Sequence, residues 1–135
     1  MIQELDDRWI LGLRGSRVVA VGRAQDGPEL VVTLADGTVL AVSGPVLLTD
    51  GPCSAPGAAA LAVEESDRLV GATVLSAVAF RSGLLRFVFS TGHHLNVRGA
   101  EPGVTARVRQ PEVFSWRCRR GVATMEIPGP EGAGH

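Results

Sequence analysis

One stretch of the chain occurs twice, and this restricts the fold more than any other feature. The first copy reads Gly15-Ser-Arg-Val18, then Gly27-Pro-Glu-Leu30-Val-Val32-Thr-Leu34-Ala-Asp-Gly37-Thr-Val-Leu40-Ala-Val42-Ser-Gly44. The second reads Gly71-Ala-Thr-Val74, then Gly83-Leu-Leu85-Arg-Phe87-Val-Phe89-Ser-Thr-Gly92-His-His-Leu95-Asn-Val97-Arg-Gly99. With one residue dropped after Gly83, glycines and large apolar residues fall in step.

Each copy reads as three strands. Val18 to Arg23 and Thr73 to Phe80 are apolar and β-branched, and Asp26-Gly27 and Ser82-Gly83 are turn signals. Leu30, Val32 and Leu34 alternate, so they share one face. A three-residue loop, Ala35-Asp36-Gly37, pairs Leu34 with Thr38, Val32 with Leu40 and Leu30 with Val42, which keeps the larger apolar residues together. That loop needs a left-handed residue at its third position, and Gly37 supplies it without steric cost. The loop Ser90-Thr91-Gly92 selects the same register in the second copy, pairing Phe87 with Leu95 and Leu85 with Val97.

Beyond the repeat, Arg8 to Leu13 reads as a lead-in strand. Between the copies, Asp50-Gly51-Pro52 and Ser54-Ala-Pro56-Gly57 are loop chemistry, and Ala58 to Ser66 reads as a short helix. After Gly99, Val104, Ala106 and Val108 alternate with Thr105, Arg107 and Arg109. A last hairpin turning at Arg120-Gly121 pairs Cys118 with Ala123, Trp116 with Met125 and Phe114 with Ile127. The expected architecture is all-β: an antiparallel sandwich or partly closed barrel, built from two three-stranded meanders plus C-terminal strands. Residues 1–127 form one domain with a pseudo-twofold core, and the 128–135 tail is expected to be disordered.

The quoted motifs resemble a family of small actinobacterial proteins of unknown function. The resemblance lies in Trp9-Ile-Leu-Gly-Leu-Arg-Gly15-Ser-Arg-Val18, in the Asp36-Gly37 hairpin followed by Gly44-Pro45, and in the second Gly71 to Val74 with its Ser90 to Gly92 hairpin. It covers roughly residues 9 to 120. It implies a fold and a taxon, and it transfers no catalytic residue.

Composition narrows the function. No apolar run approaches the ~20 residues of a membrane helix. The acidic start Met1-Ile-Gln-Glu-Leu-Asp-Asp has no signal-peptide pattern, so a cytoplasmic location and free thiols at Cys53 and Cys118 are expected. All 13 basic residues are arginine and tyrosine is absent, the signature of a GC-rich genome rather than of nucleic-acid binding. Charge is uneven: residues 1–69 hold five arginines against ten acids, and residues 70–125 hold eight arginines against two acids.

No catalytic, cofactor or metal site is expected. His93 and His94 are adjacent strand residues that point to opposite faces, so they cannot chelate one ion. Cys118 lies on an apolar face beside Trp116, where a thiol is inert filling. No nucleophile elbow or phosphate loop frames any serine or glycine.

Two surfaces remain as candidates. Arg86 and Arg98, with Arg107, Arg109, Arg117, Arg119 and Arg120, form one basic surface if their strands adjoin. Its partner would be an acidic protein, the acidic half of another copy, or, less favoured for want of exposed aromatics, nucleic acid. The outer face of the first meander shows Val31, Thr33, Val39 and Ala41. Such a face is covered by the Ala58–Val63 segment, by the C-terminal hairpin, or by a second copy. The expected function is therefore a non-enzymatic protein-interaction or assembly module, with a small-ligand or nucleic-acid binding module as the alternative.

Overall fold

The computed structural model describes residues 2–23, 29–44, 46–50, 60–61, 67–99 and 101–127. The expectations for Cys53, for the 128–135 tail and for most of the 58–66 segment fall outside those residues.

Thirteen strands are described: β1 Gln3–Glu4, β2 Arg8–Ile10, β3 Val18–Arg23, β4 Leu30–Leu34, β5 Val39–Ser43, β6 Leu47–Asp50, β7 Ala60–Leu61, β8 Val74–Phe80, β9 Leu84–Phe89, β10 His93–Arg98, β11 Thr105–Gln110, β12 Phe114–Arg119 and β13 Val122–Glu126. They make two open antiparallel sheets rather than a closed barrel. One sheet has the order β1-β2-β8-β9-β10-β6-β7, and the other β13-β12-β11-β5-β4-β3. Each sheet contains one meander.

The turn chemistry acts as the residues dictate. In the first meander Val32 faces Leu40 and Leu30 faces Val42. The loop closes through Gly37 N–H to Leu34 O at 3.0 Å and Leu34 N–H to Thr38 O at 2.8 Å. Gly37 has φ 90°, a left-handed value costly for any other residue. In the second meander Phe87 faces Leu95 and Leu85 faces Val97, and Gly92 also has φ 90°. The C-terminal hairpin pairs Cys118 with Ala123 and Trp116 with Met125. Its turn residues Arg120 and Gly121 have φ 54° and 78°, the positive pair of a two-residue hairpin turn that matches strand twist.

The two sheets meet along the first strands of the two meanders. Arg17 bridges Thr73, and the hydrogen bonds on either side are reciprocal. Gly15 N–H reaches Val74 O and Gly71 N–H reaches Val18 O, each at 2.8 Å; Val18 N–H reaches Ala72 O and Val74 N–H reaches Ser16 O, each at 2.8 Å. Both first strands also break register at the same place, between Val18 and Ala20 and between Val74 and Ser76. The connections are exchanged as well. The strand after the first meander, β6, pairs with β10, and the strand after the second, β11, pairs with β5.

Between the sheets lies one apolar core. Trp116, Phe87, Phe89, Phe114, Leu40, Leu85 and Leu95 are among its fully buried side chains. Burying each is worth about 1.5–3 kcal/mol. Cys118 belongs to this core, unbridged and buried, and burial pushes its thiol pKa up.

Several expectations change. The lead-in strand stops at Ile10; Leu11 N–H still reaches Ala77 O on β8 at 3.0 Å, and the regular pairing is broken at Gly12, which takes φ 66°. Ala60–Leu61 is a strand against β6, not part of a helix. Two strands add to those expected: β6, which takes in Asp50 of the expected Asp50-Gly51-Pro52 loop, and β1, which pairs with β2 in spite of its acidic sequence.

Candidate functional site

The candidate site is the outer face of the six-stranded sheet. Alternation along β11 sends Ala106 and Val108 inward and leaves Thr105, Arg107 and Arg109 outward; along β12, Phe114, Trp116 and Cys118 go in, and Ser115, Arg117 and Arg119 go out. The register then stacks the outward residues in three cross-strand pairs. Arg109 faces Ser115, Arg107 faces Arg117, and Thr105 faces Arg119.

The same register joins these arginines to the first meander. Arg107 faces Ala41 and Arg109 faces Val39 on β5, and Ala41 and Val39 in turn face Val31 and Thr33 on β4. The two surfaces read separately from the sequence are thus halves of one face, apolar over β4 and β5 and basic over β11 and β12. The C-terminal hairpin extends this sheet instead of covering it, and β7 belongs to the other sheet. Ala41 is only 1 % exposed, while Val31, Thr33 and Val39 are half-buried.

Two concavities mark the face. One, of about 640 Å³, is lined by residues that include Val39, Arg107, Arg109, Ser115, Arg117, Glu112 and Glu126. The next, of about 340 Å³, includes Glu29, Ala41, Thr105, Arg107, Arg117 and Arg119. Arg107 and Arg117 line both, so the two concavities adjoin at this pair and are treated as one trough. Arg107 lies 3.5 Å from Glu29. Among the described residues, no carboxylate is within ion-pair distance of Arg109, Arg117 or Arg119.

Two arginines expected on this surface lie elsewhere. Arg86 and Arg98 are on β9 and β10, in the other sheet. Arg86 sits 5.6 Å from the Phe80 ring centroid, with Arg8 at 4.6 Å from the same ring. Arg98 contacts Glu101 at 3.5 Å. The single basic surface is therefore split across both sides of the sandwich. The physical reason is the passage at Gly99, which carries the chain from one sheet to the other. A Cβ there would stand 2.5 Å from Gly83 O and 2.7 Å from Cys118 Sγ, so only glycine fits the crossing. Arg120 lies in the turn at the end of β12, exposed.

Residues weighed for chemistry are not assembled into a reactive centre. His93 Nδ1 lies 2.6 Å from Thr91 Oγ1. His94 is half-buried on the far sheet, where burial, and then the charge of Arg86, lower its pKa. Among the described residues, no three His, Cys, Asp or Glu side chains are grouped to hold a metal ion, and no helix is long and apolar enough to cross a membrane.

A family model matches residues 9–120, spanning both meanders, β11 and β12. The chain belongs to the family of unknown function DUF6188. No curated protein and no solved structure matches it. In this DUF6188 protein the matched segment contains all three arginine-bearing pairs of the trough.

The pairing of β11 with β12 was missed in the sequence. Its signal is Pro111, followed by Glu112 with φ 67° and closed by Val113 N–H to Gln110 O at 3.0 Å. Proline first and a positive φ second is the pattern of a type II turn, where glycine is usual and glutamate disguises it.

Proposed function

We propose that this protein is a non-enzymatic interaction module that docks an acidic protein partner on the outer face of its six-stranded sheet. One observation carries the reading: Arg107 stands directly opposite Arg117. Like charges in that relation destabilise a sheet, so an arginine pair kept there suits an anion supplied from outside. The half-buried Val31 and Val39 beside it add apolar contact area, and the charge complementarity favours an acidic partner over a twofold pairing of this face with itself, which would bring guanidinium against guanidinium. Nucleic acid is the weaker fit. All the described aromatic side chains except Phe80 are buried, and Phe80 lies on the other sheet between Arg8 and Arg86, so the trough offers no stacking surface.

The lack of lysine and tyrosine supports an actinobacterial source. The test is retention on immobilised polyglutamate, with polylysine and single-stranded DNA as comparators. The wild type should be retained on polyglutamate in a salt-sensitive manner, and the Arg107→Gln, Arg117→Gln double variant should elute early while melting normally. Equal elution of the two proteins refutes the reading.

A further inference from the structure

The spacing of the arginines says more about the partner than their charge does. On the trough floor the outward pairs Arg109–Ser115, Arg107–Arg117 and Thr105–Arg119 follow one another along β11 and β12. Successive outward residues of a strand are two positions apart, about 7 Å. Each pair carries at least one guanidinium, and the two outer pairs add a hydroxyl. Each is thus a receptor for one carboxylate: a guanidinium donates two parallel hydrogen bonds, and a serine or threonine hydroxyl donates a third. Glu29, 3.5 Å from Arg107, shows that a carboxylate reaches the central pair.

We infer that the trough binds an extended acidic segment with carboxylates at every second residue, three in a row, lying along β11 and β12. This rests on the acidic-partner reading and specifies it. An extended peptide repeats its same-side residues at about 7 Å, so three alternate carboxylates meet three receptors without distortion. An acidic helix repeats its neighbouring side chains at about 5–6 Å, and falls out of step by the third receptor. Glu29 acts as an internal competitor for the central receptor.

The experiment is a heteronuclear NMR titration reading the Nε–H signals of Arg107, Arg109, Arg117 and Arg119. The probes are three peptides of equal length and composition, each with three glutamates, placed at every residue, every second residue or every third. The every-second peptide should move all four signals together and bind about fivefold tighter than the others, since an exposed ion pair is worth about twofold to fivefold in affinity and only this peptide presents three at once. Glu29→Gln should tighten it about twofold. If the three peptides bind equally, and the Arg107→Gln, Arg117→Gln variant loses them all, the spacing inference is overturned and the acidic-partner reading stands. If no peptide moves the signals, both fall. If oligothymidylate moves them at lower concentration than any peptide, the occupant is a nucleic acid and the inference is overturned.

Discussion

Replacing Arg117 by glutamine should make the protein more stable, an unusual result for a side chain inside a sheet. Arg117 faces Arg107 across two hydrogen-bonded strands, and among the described residues it has no carboxylate partner. Facing residues in such a pair are about 5 Å apart. Two unit charges at that distance repel by about 0.8 kcal/mol in water, an upper bound here because the guanidiniums stand at the ends of long side chains that can part further than their backbones. Screening over a Debye length of about 8 Å at physiological ionic strength halves this to about 0.4 kcal/mol, inside the range of about 0.2–1 kcal/mol for cross-strand pairs. For a chain of 135 residues the gain corresponds to a melting temperature higher by about 1–2 °C. At low salt it should approach about 0.7 kcal/mol, because the Debye length grows to about 30 Å. Arg107→Gln is the control. It relieves the same repulsion but loses the contact with Glu29, an exposed pair worth about 0.2–1 kcal/mol, so its net effect should be near zero. Chemical denaturation of both variants at two salt concentrations reads the difference. A loss above about 1 kcal/mol for Arg117→Gln, or a gain indifferent to salt, would show that the guanidinium is held by a favourable contact and that the repulsion argument is wrong.

Three further outcomes follow from the same structure. Gly99→Ala should cost about 1–3 kcal/mol in urea denaturation, the usual cost of overpacking, since its Cβ would press on Gly83 O at 2.5 Å and on the Cys118 side chain; a neutral effect would mean the crossing has room. The pKa of His94 is lowered from 6.5 by burial and Arg86, so the unfolded chain takes up the proton first and stability should fall as pH drops below 6.5; His94→Gln should flatten that part of the pH–stability curve, and an unchanged slope would assign it to another group. The Cys118 thiol, 1 % exposed and with its pKa raised by burial, should resist a thiol reagent in the native protein and react on unfolding; fast labelling of native protein at Cys118, followed by peptide mapping, would contradict its place in the core.

Most of the hairpin registers depend on neighbours in the chain and are legible in the sequence; the β11–β12 turn is the exception, because Glu112 takes the positive φ that glycine usually signals. The three-residue loops at Ala35-Asp36-Gly37 and Ser90-Thr91-Gly92 and the two-residue turn at Arg120-Gly121 set the registers of three hairpins. Alternation within each strand then told inward from outward, as at Trp116 and Arg117. These signals are local, because a turn needs particular φ values at one or two residues and a strand repeats every second residue.

The site depended on something else. That β11 lies beside β5, and not beside β10 from which the chain has just come, is a pairing between residues 62 to 70 positions apart, such as Val108 with Leu40. Backbone hydrogen bonds between strands carry no sequence label, so apolar alternation fits many neighbours equally well. Packing chose among them. The passage at Gly99 sends the chain across the core, the strand after each meander completes the opposite sheet, and only then do Val31, Val39, Arg107 and Arg117 come to share one surface. The sequence supplied each residue's inward or outward sense, and the exchange of strands between the two sheets decided which outward residues became neighbours.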